Sequence, residues 1–241
     1  MFRTGNPVLR RESFRAAEGS GQMTINGTIN KTGFLLLLAI ATASYVWSIA
    51  LNNPQAAQGW MLLGVFGGFI AAIICAFNPK ATPVLAPVYA VLEGLFLGGV
   101  SSAYNAQYPG IVVQAVLGTF GVMFAMLFLY QTRIIKVNQK FLLGVVSATA
   151  GICLIYLFGF VASLFGMNLG IFGNGIMGVG FSAVVVVIAS LNLVVDFFFI
   201  EENTNANAPK YMEWYGAFSL MVTLVWLYIS MLRLLGKLNR N

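Results

Sequence analysis

The sequence predicts an all-α fold: a polytopic membrane helical bundle of seven hydrophobic helices. Three observations carry that expectation. Only 8% of the 241 residues are charged and 59% are hydrophobic, whereas a soluble domain carries roughly a quarter charged residues. A chain so poor in charge cannot cover a water-facing surface, so most of its surface must face lipid. Apolar runs of about twenty residues recur, the length a helix needs to cross the hydrocarbon. These runs lack the strict period-two alternation of barrel strands.

Taken in order, the runs place helices at 33–51, 60–77, 84–104, 111–131, 141–165, 171–200 and 213–235. The first starts at Gly33 and stops at Asn52-Asn53-Pro54. The second stops at Asn78-Pro79-Lys80 and the third at Tyr108-Pro109-Gly110. Basic residues follow the fourth, and an Asn/Ala/Pro stretch at 203–209 separates the sixth from the seventh. Such clusters favour turns because Pro and Gly break a helix and Asn bonds its own backbone. The glycine-dense GIFGNGIMGVG, Gly170 to Gly180, can bend or loosen the start of segment six. Elsewhere Gly64, Gly67 and Gly68, the pair Gly94 and Gly98, and Gly118 and Gly121 let helices approach closely in lipid. We read them as packing positions. Residues 1–32 form a flexible basic cytoplasmic tail in this reading, 33–235 the transmembrane domain, and 236–241 a short basic tail.

No short apolar core precedes a cleavage site, so the pattern is not that of a signal peptide. The tail carries Arg3, Arg10, Arg11, Arg15 and Lys31. Arg133, Lys136 and Lys140 follow segment four, while Lys80 and Lys210 lie in the other loops on that side. The alternate loops 52–59, 105–110 and 166–170 hold no Lys or Arg. By the positive-inside rule this predicts a cytoplasmic N-terminus. The tail arginines can also touch anionic headgroups. Seven crossings then put the C-terminus outside, together with Arg233, Lys237 and Arg240. Either segment seven crosses against the rule, or one segment re-enters. The net charge of +6 reports membrane orientation and not nucleic-acid binding.

The chain has no histidine, which removes histidine metal sites and histidine pH sensing. Cys75 and Cys153 fall in apolar runs and read as small packing residues. No Ser-His pair, H-E-x-x-H, P-loop or dinucleotide motif is present. With a single aspartate the chain cannot be an intramembrane aspartyl protease. It is expected not to be an enzyme and to need no cofactor.

Of seven acids, Glu12 and Glu18 lie in the tail, and Glu201, Glu202 and Glu213 near a loop. Only Glu93 and Asp196 sit inside apolar segments. An acid at mid-helix costs about 2.5–3.5 kcal/mol on the insertion scale, against roughly 0.3–0.6 gained per Leu, Ile, Val or Phe. Segment six therefore inserts despite Asp196, and the acid must face the bundle or water. At about 1.5 Å per residue, Asp196 lies roughly 8 Å below Glu201, Glu93 roughly 14 Å deep from the same side, and Thr223 roughly 15 Å past Glu213. These groups can meet near mid-membrane. Asn192 lies one turn before Asp196 and can bond it. Thr223, Ser230 and Lys237, with Trp226 and Arg233 beside them, make one polar stripe on segment seven. Two readings of Asp196 stand: a hydrogen-bonded anchor between helices, or a titratable gate or cation site. Glu93 can simply bond a neighbouring helix.

Two stretches give a family resemblance. Ser190-Leu191-Asn192-Leu193-Val194-Val195-Asp196 and the final LMVTLVWLYISMLRL, Leu220 to Leu234, resemble the Bax inhibitor-1-like family. MFRTGNPVL and NGTINKTG are similar to its bacterial branch. The resemblance implies a bundle with the seventh helix central, in a bacterial inner membrane. It also implies a proton-sensitive calcium leak in some members, in which two aspartates on the last two helices share a proton. Asp196 fits the first aspartate. The second position falls on Thr223 and a family asparagine on Trp226, while Arg233 fits the family arginine, able to pair with a carboxylate or anchor the helix end. Thr223 cannot carry a negative charge, so a two-aspartate switch cannot operate unaltered. Glu93 is the candidate second carboxylate, and with Asp196 the candidate transient calcium ligand. Two functions follow. One is a calcium or other cation leak gated at Asp196, with Thr223 and Asn192 as hydrogen-bond partners. The other is a non-conducting regulator that binds membrane proteins such as a membrane protease.

Overall fold

Thr24 starts the first helix: its Oγ1 accepts from the Gly27 backbone N–H at 3.0 Å, satisfying one of the donors a helix start leaves free. The computed structural model describes residues 21–167, 170–173 and 175–240, and in them seven helices succeed one another. They are α1 (Ile25–Asn52), α2 (Pro54–Phe77), α3 (Thr82–Gln107), α4 (Ile111–Gln131), α5 (Gln139–Leu164), α6 (Ile176–Asn205) and α7 (Met212–Leu238). Each is long and apolar enough to cross a membrane. The chain is thus a multi-pass membrane helical bundle. Among the described residues the sole β pairing is an isolated bridge between Gln22 and Pro209.

The predicted spans need correction at their ends. α1 starts at Ile25, within the stretch read as tail, because Thr24 and the polar residues after it find partners on α7. The tail arginines lie outside the described residues. α2 starts at Pro54, with Asn53 Oδ1 accepting from the Ala56 N–H at 3.1 Å. Asn-Pro there is a cap followed by a first-turn proline, whose missing N–H costs the helix nothing. The glycine-dense run gives a short 3₁₀ turn, Gly170–Phe172, before α6 begins at Ile176. α6 runs on to Asn205 and α7 to Leu238, past the expected ends.

α7 is the central helix. It packs against α1, α3, α4 and α6, and half of its most apolar window is buried, against 11% for α5. It contributes to two cores. One joins α1, α2 and α3 through Leu35, Ala39, Cys75 and Tyr89 to Phe218 and Met221. The other joins α6 through Val186, Leu193 and Ile200 to Leu220, Leu224 and Leu227. α2 and α5 are outer helices, held mainly through α3 and α6. Large side chains such as Phe66, Phe69, Phe124 and Phe158 point outward, as a lipid-facing surface requires. Cys75 is buried, whereas Cys153 is exposed, so only the first is a packing residue.

Glycines set the tightest approaches. A Cβ on Gly94 would enter Ala39 and Thr42 of α1, and one on Gly98 would enter Ala43. Backbone-to-backbone contact of this kind is available only to small residues.

Candidate functional site

Asp196 lies on the face of α6 that packs against α7 and is 7% exposed. Ser219 on α7 donates its hydroxyl to Asp196 Oδ1 at 2.5 Å. Thr223, one turn further along α7, faces the same carboxylate and is also buried. It does not complete a hydrogen bond: the buried Oδ2 has no partner among the described residues. A buried ionised oxygen with no donor is costly, so this half-satisfied carboxylate needs a proton, a cation or a rearranged neighbour.

The expected stripe on α7 is present and buried. Thr223, Ser230 and Lys237 are each less than a tenth exposed. Ser219 lies one turn before Thr223 on the same line, and it supplies the one side-chain hydrogen bond to the Asp196 carboxyl among the described residues. Counting back four residues from Thr223 would have found it. Ser230 bonds the Trp226 carbonyl within its own helix at 2.8 Å.

Other expected partners lie elsewhere. Asn192 does not turn to Asp196. Its Nδ2 donates to Thr149 Oγ1 of α5 at 2.8 Å and to the Ile188 carbonyl at 2.9 Å, fastening the outer helix to α6. Glu93 sits at the contact of α3 with α2, where the missing side chain of Gly68 makes room for Oε2. Tyr89, one turn before it, packs edge-on against Phe218 of α7 at 5.1 Å between centroids. α3 packs mainly on α1, α2 and α7, whereas α6 packs mainly on α4, α5 and α7, with only minor contacts of α3 to α4 and of α6 to α1. The groups beside Asp196 are Ser219 and Thr223 and not Glu93, and no cluster of three or more His, Cys, Asp or Glu forms among the described residues. Arg233 donates to the Tyr156 hydroxyl of α5 and lies over that ring, 5.1 Å from its centroid. It pairs with no carboxylate among the described residues.

One acid read as lying near a loop, at the start of segment seven, is a hub. Glu213, in the first turn of α7, is fully buried. It accepts from the Thr24 backbone N–H at 3.0 Å and the Thr24 hydroxyl at 2.8 Å, pairs with Lys31, and has Lys210 Nζ at 3.8 Å. At the same end, Glu201 of α6 accepts from the Tyr130 hydroxyl and from Arg133 Nη2 at 2.6 Å.

The family model described as Bax inhibitor 1 like matches residues 6–240, nearly the whole chain. The chain belongs to this family. No curated protein matches it. In this Bax inhibitor 1 like protein Asp196 of α6 is bonded to Ser219 of α7, and the Thr223 hydroxyl lies alongside.

Proposed function

We propose that this protein is a proton-modulated leak for calcium or a similar cation, gated at Asp196. The orphaned Oδ2 of Asp196 carries the proposal. A carboxylate bonded on one oxygen and bare on the other sits at the contact of α6 with the central helix. Family membership supports the same reading. The described arrangement is the closed form, in which the Ser219 hydroxyl ties α6 to α7 across the polar stripe. Protonation changes the charge that Ser219 and Thr223 face. It thereby changes the balance between this bond and a parted α6–α7 contact that admits a cation to the oxygen ligands it prefers. Among the described residues the second carboxylate of the resemblance has no counterpart beside Asp196, so the proposed gate is a single acid with two hydroxyls. The protein acts without catalysis or a resident cofactor, in a bacterial inner membrane with its N-terminus in the cytoplasm.

Calcium flux into liposomes holding the purified protein, across roughly pH 5–8, tests this. Wild type should give a pH-dependent flux. Asp196→Asn, which can still accept from Ser219, should abolish the flux or make it insensitive to pH. No flux above empty liposomes, from protein shown to be folded and inserted, overturns the leak.

One observation favours a second reading. Thr223 stands where the resemblance places a second aspartate, and the Asp196–Ser219 bond is sealed between helices. In that reading Asp196 is an anchor, and the protein is a non-conducting regulator that binds other membrane proteins. The flux experiment separates the two.

A further inference from the structure

The end of α7 and the turn after it hold three cations, and none of them pairs with an acidic side chain among the described residues. Lys237 is 6% exposed, and its Nζ donates to the Gly178 carbonyl of α6 at 2.9 Å. An ammonium has three N–H groups, so two remain. Arg233, one turn earlier, uses one of five donors on Tyr156. Arg240 follows in the turn after the helix. All three line one cavity of about 380 Å³ with Tyr104, Tyr108 and Phe172, within the roughly 300–1,000 Å³ typical of small-ligand sites.

The cavity is built by absences. Gly236 carries no side chain, which lets the Tyr104 ring come within 2.9 Å of where a Cβ would be, and Tyr108 within 3.7 Å. Gly178 likewise leaves room for Lys237 Nζ and for the Gly173 carbonyl. The loops at this end, 52–59, 105–110 and 166–170, hold no Asp or Glu at all. The three ion pairs among the described residues involve Lys31, Arg133 and Lys210. Burying an ammonium without a counter-charge is costly, and among the described residues no acidic side chain at this end supplies one.

We propose that this cavity is a binding site for a phosphate-type oxyanion. Arg233 and Arg240 would grip it through their planar donor forks, Lys237 would donate from below, and the Tyr104 and Tyr108 hydroxyls would complete the shell. The site lies where the last helix leaves the bundle, at headgroup level, so the anion is either the phosphate of an acidic lipid or free phosphate. The site is independent of what Asp196 does.

Purified full-length protein in neutral detergent distinguishes these. Thermal unfolding is followed while inorganic phosphate is added, since a ligand of the folded state raises the midpoint by mass action. Native mass spectrometry measures retention of phosphatidylglycerol against phosphatidylcholine. Arg240→Gln at the exposed rim and Arg233→Gln should each weaken binding roughly tenfold, while Lys80→Gln at the opposite end should leave it unchanged. Stabilisation by phosphate assigns a free-anion site. Preference for phosphatidylglycerol without a phosphate effect assigns a lipid site. Absence of both in wild type overturns the proposal, and so does binding that survives in both arginine variants.

Discussion

At the scale of single residues, each intramembrane charge is settled by a few named atoms. Glu213 is the clearest case. Removing its charge leaves Lys31 in a partly buried position without a counter-charge, and such a loss is worth about 3 kcal/mol. Glu213→Gln should lower the unfolding midpoint clearly and loosen residues 21–24 and the first turns of α1, read as faster amide exchange there, because Thr24 and Lys31 both depend on it. Gly27→Ala should act on the same lock, since a Cβ there runs into the Glu213 carboxylate. Overpacking of this kind costs about 1–3 kcal/mol. The double variant should cost less than the two added together, because both break one contact. Additive losses would show that the two residues act separately. The sequence made Asp196 legible, because an acid in an apolar run must turn inward. It hid Glu213, because an acid in the first turn of a helix normally sits in water at the positive end of the dipole. Only the return of α1 to the start of α7 buries it. Asn192 was misdirected for a related reason: helical spacing allowed a bond to Asp196, but a facing threonine on another helix was invisible.

At the scale of elements, the spans were legible and their first turns were not. Hydropathy marks the lipid-crossing part of a helix. The polar first turns of α1 and α2 continue as helix through Thr24 and Asn53 caps, which hydropathy does not register. Packing between elements follows the glycines unevenly, and this gives a paired test. Gly98→Ala should destabilise by about 1–3 kcal/mol, because α1 must back away from α3 at Ala43. Gly121→Ala should be neutral or stabilising by up to about 1 kcal/mol, from helix propensity alone, because nothing lies within 4 Å of a Cβ there. Reversible unfolding in mixed micelles measures both. Equal effects would mean that the α1–α3 contact is looser than described. The outer helix α5 is tied in by the Asn192–Thr149 bond, and an interhelical hydrogen bond in a membrane averages about 0.6 kcal/mol. Thr149→Val should therefore cost no more than about 1 kcal/mol.

At the scale of the whole molecule, the Thr24–Glu213 contact fixes direction. The starts of α1 and α7 touch, so these two helices run parallel. At about 1.5 Å per residue each extends roughly 40 Å from that contact. The start of α1 and the end of α7 are therefore at opposite faces, and every helix between them is long enough to cross. This arrangement argues against the re-entrant alternative raised by the basic C-terminal residues. Two of those three residues also cease to be a contradiction. Arg233 and Lys237 are held inside the bundle by Tyr156 and the Gly178 carbonyl, whereas the positive-inside rule concerns charges in the short loops flanking the spans. Labelling can check the arrangement. In a background with Cys75 and Cys153 replaced by Ala, Asn207→Cys lies in the loop between α6 and α7, and Asn239→Cys follows α7. A membrane-impermeant thiol reagent added to right-side-out vesicles should reach Asn239→Cys, and Asn207→Cys only after permeabilisation. Labelling of both from one face would mean that α7 does not cross, and the parallel arrangement with α1 could not stand. Labelling in the reverse order would keep the seven crossings but turn the molecule over, placing the basic tail and the Glu213 hub outside.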